Sequence, residues 1–141
     1  MAFELEKECT KAQKDGAPVP IIDLSIKDGA PYFIIRRMGT RAFREELAEI
    51  RKERESWYNL RSVFDEHDVI IEWLWRFGIT GWSDDIQADG KPLPFSKQAC
   101  KDLVTDESYV AYVNCAIKGA QDQYNYLAST IAEISDRIKK S

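Results

Sequence analysis

Gly81-Trp82-Ser83-Asp84-Asp85-Ile86-Gln87-Ala88-Asp89-Gly90-Lys91-Pro92-Leu93-Pro94-Phe95-Ser96 separates two helical stretches of the chain, and its residues are those of a shaped loop. Asp89-Gly90 suits a tight turn with glycine at positive φ, and Pro92 and Pro94 stiffen the residues after it into an extended run. Trp82 and Phe95 bracket the turn with two large apolar groups expected to pack inward. As a ligand site the stretch reads poorly. Asp85, Asp89 and Gly90 stand at the first, fifth and sixth places of a calcium loop, but Gln87 holds the third and Ser96 the twelfth, where a bidentate Glu is required. Gly78-Ile79-Thr80-Gly81 follows a helix and has no phosphate-loop spacing.

On the N-terminal side, residues 65–77 predict a helix with a broad apolar face of Ile70, Ile71, Trp73, Leu74, Trp75 and Phe77, ended by Gly78. Before it, Thr40 is placed to cap a helix whose buried face is Phe43, Leu47, Ile50 and Trp57, with Arg54 in the remaining place. Arg41 with Glu45 and Arg51 with Glu55 are four apart on its charged faces, worth about 0.2–0.5 kcal/mol per pair. Residues 58–64 continue this helix or bend it. A β-hairpin is expected over 19–37. Ile22, Leu24 and Ile26 alternate with polar residues, Asp28-Gly29 turns, and Tyr32-Phe33-Ile34-Ile35 returns, with Pro20 and Pro31 pushing both strands toward edge positions. Residues 1–18 are polar and irregular and predict a flexible arm with at most a short frayed helix.

On the C-terminal side, Ser96 caps a short helix through about Val104, with Leu93, Phe95 and Leu103 as its apolar contacts. From Ser108 to Lys139, Val110, Val113, Ile117, Ala120, Tyr124, Leu127, Ile131, Ile134 and Ile138 follow an unbroken 3-4 spacing, the seam of one long heptad-patterned helix. Gly119 inside it costs about 1 kcal/mol relative to Ala. Such a helix either packs back along the Phe43–Trp57 helix or offers its stripe to another chain. The expectation is therefore a mainly α fold in one domain: arm 1–18, β-hairpin 19–37, helices 40–78, shaped loop 79–96 and helices 97–139.

Composition narrows the chemistry. The chain has 141 residues, enough for one domain that buries roughly two thirds of its unfolded surface. A net charge of -4 opposes broad capture of nucleic acid or of an anionic membrane. No run approaches the roughly 20 apolar residues that span a bilayer, and residues 1–8 lack a signal peptide's apolar core. Cys9, Cys100 and Cys115 are odd in number without C-x-x-C spacing, which suits reduced, packed thiols. His67, the single histidine, sits among Asp65, Glu66 and Asp68 at a helix start, with no nucleophile or metal partner at a productive spacing. A small enzyme with a loop-built site would need a pocket joining His67 to a nucleophile or a carboxylate pair. The expectation is a protein with no catalytic residues, no metal and no cofactor.

The order Ile79-Thr80-Gly81-Trp82, an acidic spacer, Asp89-Gly90-Lys91-Pro92-Leu93-Pro94-Phe95-Ser96 and a short helix carrying Leu103 resembles the tail assembly chaperones of long-tailed, siphovirus-type bacteriophages. The resemblance is specific over residues 68–104, weaker over the hairpin at 21–37, and elsewhere a matter of helical character. The last helix departs from it, being longer and more regularly heptad than the loop-bearing core suggests. The resemblance implies a non-enzymatic role in the host cytoplasm. Several copies, as a homo-oligomer, bind the tape measure protein, keep it in solution, recruit tail tube protein around it and leave before the virion is mature. The rival is a structural or adaptor protein retained in the phage particle. As partner-binding residues the sequence nominates Trp73 and Trp75 with the stripe Val113, Ile117, Tyr124, Leu127, Ile131 and Ile134.

Overall fold

The computed structural model describes residues 2–58 and 66–140, without the side chains of 55–58, 136, 137, 139 and 140. The path of 59–65 and the side chains of Trp57 and Glu55 lie outside the described residues. Within them, six helices surround a three-stranded antiparallel sheet, and a two-stranded sheet stands beside it. Helix is still the larger share of the chain, but a mainly α layout with a hairpin and one long C-terminal helix is corrected to helices on both faces of a sheet.

The sheet is ordered β1 (Ala17–Pro20), β2 (Tyr32–Ile35), β3 (Ile79–Trp82). A hairpin does form, but its first strand lies earlier than expected. Val19 pairs with Phe33 and Ala17 with Ile35. The alternating Ile22–Ile26 run is drawn instead into the connection, where Ser25 Oγ accepts from Lys27 N at 3.2 Å and caps a 3-10 turn over Ile26–Asp28. Proline can make no ladder bond as a donor, so Pro18 and Pro20 turn their nitrogens away from β2, and β1 is an edge. Pro31 has no such effect. It only precedes β2, which β3 converts into the central strand.

Side chains alternate across a strand, so β2 presents two faces. Phe33 and Ile35 join the main core with Val19, Trp73, Val113, Ala116 and Ala120. Tyr32 gathers Ile26 and Ile134 into a second cluster, against which Ile34 and Ile138 pack.

This two-sidedness explains the largest departure from the sequence reading. The 3-4 stripe belongs to two helices, α5 (Val110–Ala120) and α6 (Ala128–Lys140). Helix α5 packs on β1 and the main-core face, and Ile134 of α6 reaches the other. Residues 121–127 carry the chain between them, past β1. Asp122 Oδ1 accepts from Tyr124 N at 3.0 Å and starts a 3-10 turn over Gln123–Tyr126. Asn125 Nδ2 donates to the Gly119 carbonyl at 2.9 Å, and the buried Tyr126 hydroxyl donates to the Ile35 carbonyl at 2.7 Å. A straight helix could satisfy none of these, and neither expected arrangement of a long helix occurs.

The arm is held as well. Helix α1 spans Thr10–Asp15, Cys9 N donates to the Tyr126 carbonyl at 2.7 Å, and Glu8 forms a bridge with Leu127. Helix α2 (Arg41–Tyr58) starts as expected, with Thr40 Oγ1 accepting from Phe43 N at 3.2 Å and Phe43, Leu47 and Ile50 buried. Helix α3 (Glu66–Trp73) widens into a π turn over Leu74–Gly78, closed by Ile79 N donating to the Leu74 carbonyl. Helix α4 (Lys97–Thr105) is capped by Ser96, whose Oγ accepts from Ala99 N at 3.0 Å.

Candidate binding surface

The nominated partner-binding residues do not form one exposed surface. Trp73, Val113 and Ile134 are buried at 0%, 1% and 6% exposure. Trp73 stacks edge-on against Phe43 at 4.8 Å and donates its indole N–H to Glu46 at 3.1 Å, so it is a core residue with a satisfied polar end. Ile117 and Ile131 are half-buried against the main core. Leu127 is half-buried at the bridge to Glu8. Trp75 is half-buried, with the Lys101 ammonium 4.7 Å from its ring centre. Tyr124 alone of the eight is well exposed, at 56%. The apolar periodicity thus marks burial, divided between two clusters.

Several concavities flank this core among the described residues, one of about 570 Å³ beside Glu8, Gln13, Arg37 and Phe43. Another, of about 240 Å³, lies between α3 and the α4–α5 junction and sets His67 beside the carboxylates Asp68, Glu72, Asp106 and Glu107. Glu72 is engaged there by Arg54 and Arg76, each at 2.8 Å. Neither Cys100 nor Cys115 lines it. Burial pushes the Cys100 thiol up to about 12, and burial also raises Cys115, whose thiol donates to the Pro20 carbonyl at 3.4 Å. Both are held in the protonated, weakly nucleophilic form at neutral pH.

A further concavity, of about 270 Å³, has one wall from the Gly81–Ser96 stretch, through Asp85–Ala88 and Leu93. Trp82, on β3 and opposite Phe33, donates its indole N–H to the Leu93 carbonyl at 2.7 Å. Leu93 N in turn donates to the Ile86 carbonyl at 3.0 Å, folding the stretch back on itself. Between them β4 (Gln87–Ala88) and β5 (Lys91–Pro92) pair around Asp89-Gly90, whose φ values of 52° and 76° are the two positive angles of a type I′ hairpin turn. The glycine turn is as expected, and the connector becomes a small hairpin. Phe95 corrects the bracketing expectation. It meets Trp82 edge-on at 5.0 Å but stays 37% exposed, so only the tryptophan is inside.

Against this hairpin lie Ile21, Ile22 and Phe33 from the β1–β2 unit, and Leu103, Tyr109 and Tyr112 from α4 and the start of α5. Ile21, Phe33, Ile86 and Leu103 are buried and form the floor. Ile22, Leu93 and Tyr109 are half-buried, and Tyr112 and Asp85 stand exposed at the rim. Sequence reasoning missed this surface because its parts lie far apart in the chain. The available signal was Tyr109 and Tyr112, three apart at the start of the last helix and off the 3-4 stripe.

Among the described residues, no helix is long and apolar enough to cross a membrane and no group of three or more His, Cys, Asp or Glu side chains could hold a metal ion. Compared with known proteins, the chain matches no family model, and no curated protein or solved structure shows a significant similarity to it.

Proposed function

We propose that the chain is a non-enzymatic tail assembly chaperone of a long-tailed bacteriophage, binding helices of the tape measure protein and recruiting tail tube subunits. The observation that carries this reading is the double use of the Ile79–Ser96 run. Within that run Leu93 and the spacer residues Asp85 to Ala88 line one wall of an apolar groove, and Trp82 fastens Leu93 in place through its indole N–H. A groove of this kind suits the apolar face of an amphipathic helix. In this reading several copies act together in the host cytoplasm and depart before the particle is complete.

Coexpression with the tape measure protein of the same phage tests it. The expected result is a rise in the soluble fraction of that protein and a joint peak on size exclusion. Separate elution with the tape measure protein left insoluble would refute the proposal, and recovery of the chain from purified virions would make it an adaptor.

A further inference from the structure

We infer that the groove between the β4–β5 hairpin and Tyr109–Tyr112 is the seat of a basic amphipathic helix, its apolar face against Ile22, Leu93 and Tyr109 and a Lys or Arg beside Asp85. The inference rests on the chaperone reading and adds to it the place on the molecule and the charge of the segment bound.

Charge complementarity selects this occupant. Asp85 is the one charged residue lining the groove, and among the described residues it makes no ion pair. Asp23 follows Ile22 and Asp84 precedes Asp85; both are exposed and neither takes part in an ion pair among the described residues. Residues 84–95 hold three aspartates against the single Lys91. Among the acids elsewhere, Glu8, Glu46, Glu53, Glu66 and Glu72 meet arginines. An apolar groove whose rim carries an aspartate without an ion pair among the described residues favours a cationic partner and disfavours an acidic one.

The lining agrees with a docked apolar face, since, besides the two tyrosines, Asp85 and Gln87 are its only polar members among the described residues. Rim tyrosines give wide contact area with few rotatable bonds, as binding hot spots commonly do.

The test uses the full chain and two labelled synthetic helices of roughly 20 residues with the same leucine face, one flanked by lysines and one by glutamates. Fluorescence anisotropy should show the lysine helix binding at least about tenfold more tightly, with affinity falling as salt rises. Tyr112→Ser and Asp85→Lys, both at exposed positions, should each weaken it by about tenfold or more, while Leu5→Ser, exposed and outside the groove, leaves it unchanged. Equal binding of the two helices, or unchanged affinity in both groove variants, overturns the inference. Self-association of the chain that Tyr112→Ser abolishes also overturns it, by making a second copy the occupant. The two proposals separate cleanly. If wild type and Tyr112→Ser solubilise the tape measure protein alike, the groove assignment fails and the chaperone reading stands. If the lysine helix binds with the expected preference but the tape measure protein stays insoluble, the groove stands and the chaperone reading fails.

Discussion

Arg37 reaches three parts of the chain at once. Its guanidinium donates to Glu8 at 2.8 Å and to the Ala120 carbonyl at 3.1 Å, and lies 5.4 Å from the ring centre of Tyr126. The arm, the end of α5 and the turn beyond it are thereby fastened to the end of β2. The Arg37 hydrogen bond holds the Glu8 carboxyl below its ordinary value of 4.5. A carboxyl lowered on folding stabilises the fold above its unfolded value, and that stability disappears as pH falls through the folded value. Glu8→Gln should therefore be less stable than wild type at neutral pH, with the two urea midpoints converging as pH falls below the ordinary carboxyl value of 4.5. Midpoints that stay equally separated at every pH would show that the ion pair adds nothing. Gly119 is set by contact instead of charge. A Cβ there would lie 2.1 Å from Cγ1 of the fully buried Val19, so helix and edge strand touch because the residue is glycine. Gly119→Ala, which in an open helix gains about 1 kcal/mol, should here cost about 1–3 kcal/mol by denaturant titration. A gain in stability would mean that the approach relaxes freely.

At the scale of elements, much was legible. The Thr40 and Ser96 caps, the Phe43-Leu47-Ile50 face and the Asp89-Gly90 turn follow from local chemistry that tertiary structure had no reason to override. The long helix failed because hydrophobic spacing records that a residue is buried and not against what. Val113 and Ala120 are buried on one side of the sheet and Ile134 on the other, and a short 3-10 turn kept the count in phase. The local signal for the break was Asp122, a residue that caps turns readily. Replacing Gln121 and Asp122 together by alanine should leave the circular dichroism at 222 nm unchanged while lowering stability by about 0.5–2 kcal/mol, because Tyr126 and Asn125 still hold the crossing. A clear rise in helicity would mean that the capping aspartate alone keeps α5 and α6 apart. Strand β1 was hidden for the opposite reason: Ala17-Pro18-Val19-Pro20 has two prolines in four residues and reads as a linker, and only pairing with β2 makes it a strand.

For the molecule as a whole, the candidate groove was the least legible part. Its floor joins Ile21, Phe33, Ile86 and Leu103, which no periodicity connects, and it exists only once the sheet, the small hairpin and α4 have met. The stripe nominated as a working surface was largely the core. The edge at β1 has one further bearing on how copies of this chain behave in concentrated solution. With β1 paired to β2 through Ala17 and Val19 and imino nitrogens at 18 and 20, the outer rim of the sheet offers a neighbouring strand no hydrogens from those positions, and the Pro20 carbonyl there already accepts from the Cys115 thiol. Thr at both 18 and 20 would restore two outward donors, and sedimentation should then show the chain adding strand to strand into growing assemblies. If the double variant sediments as wild type does, the turn at 123–126 is cover enough by itself. Two missing hydrogens would thus set how crowded a cell this protein can tolerate without templating its own fibres.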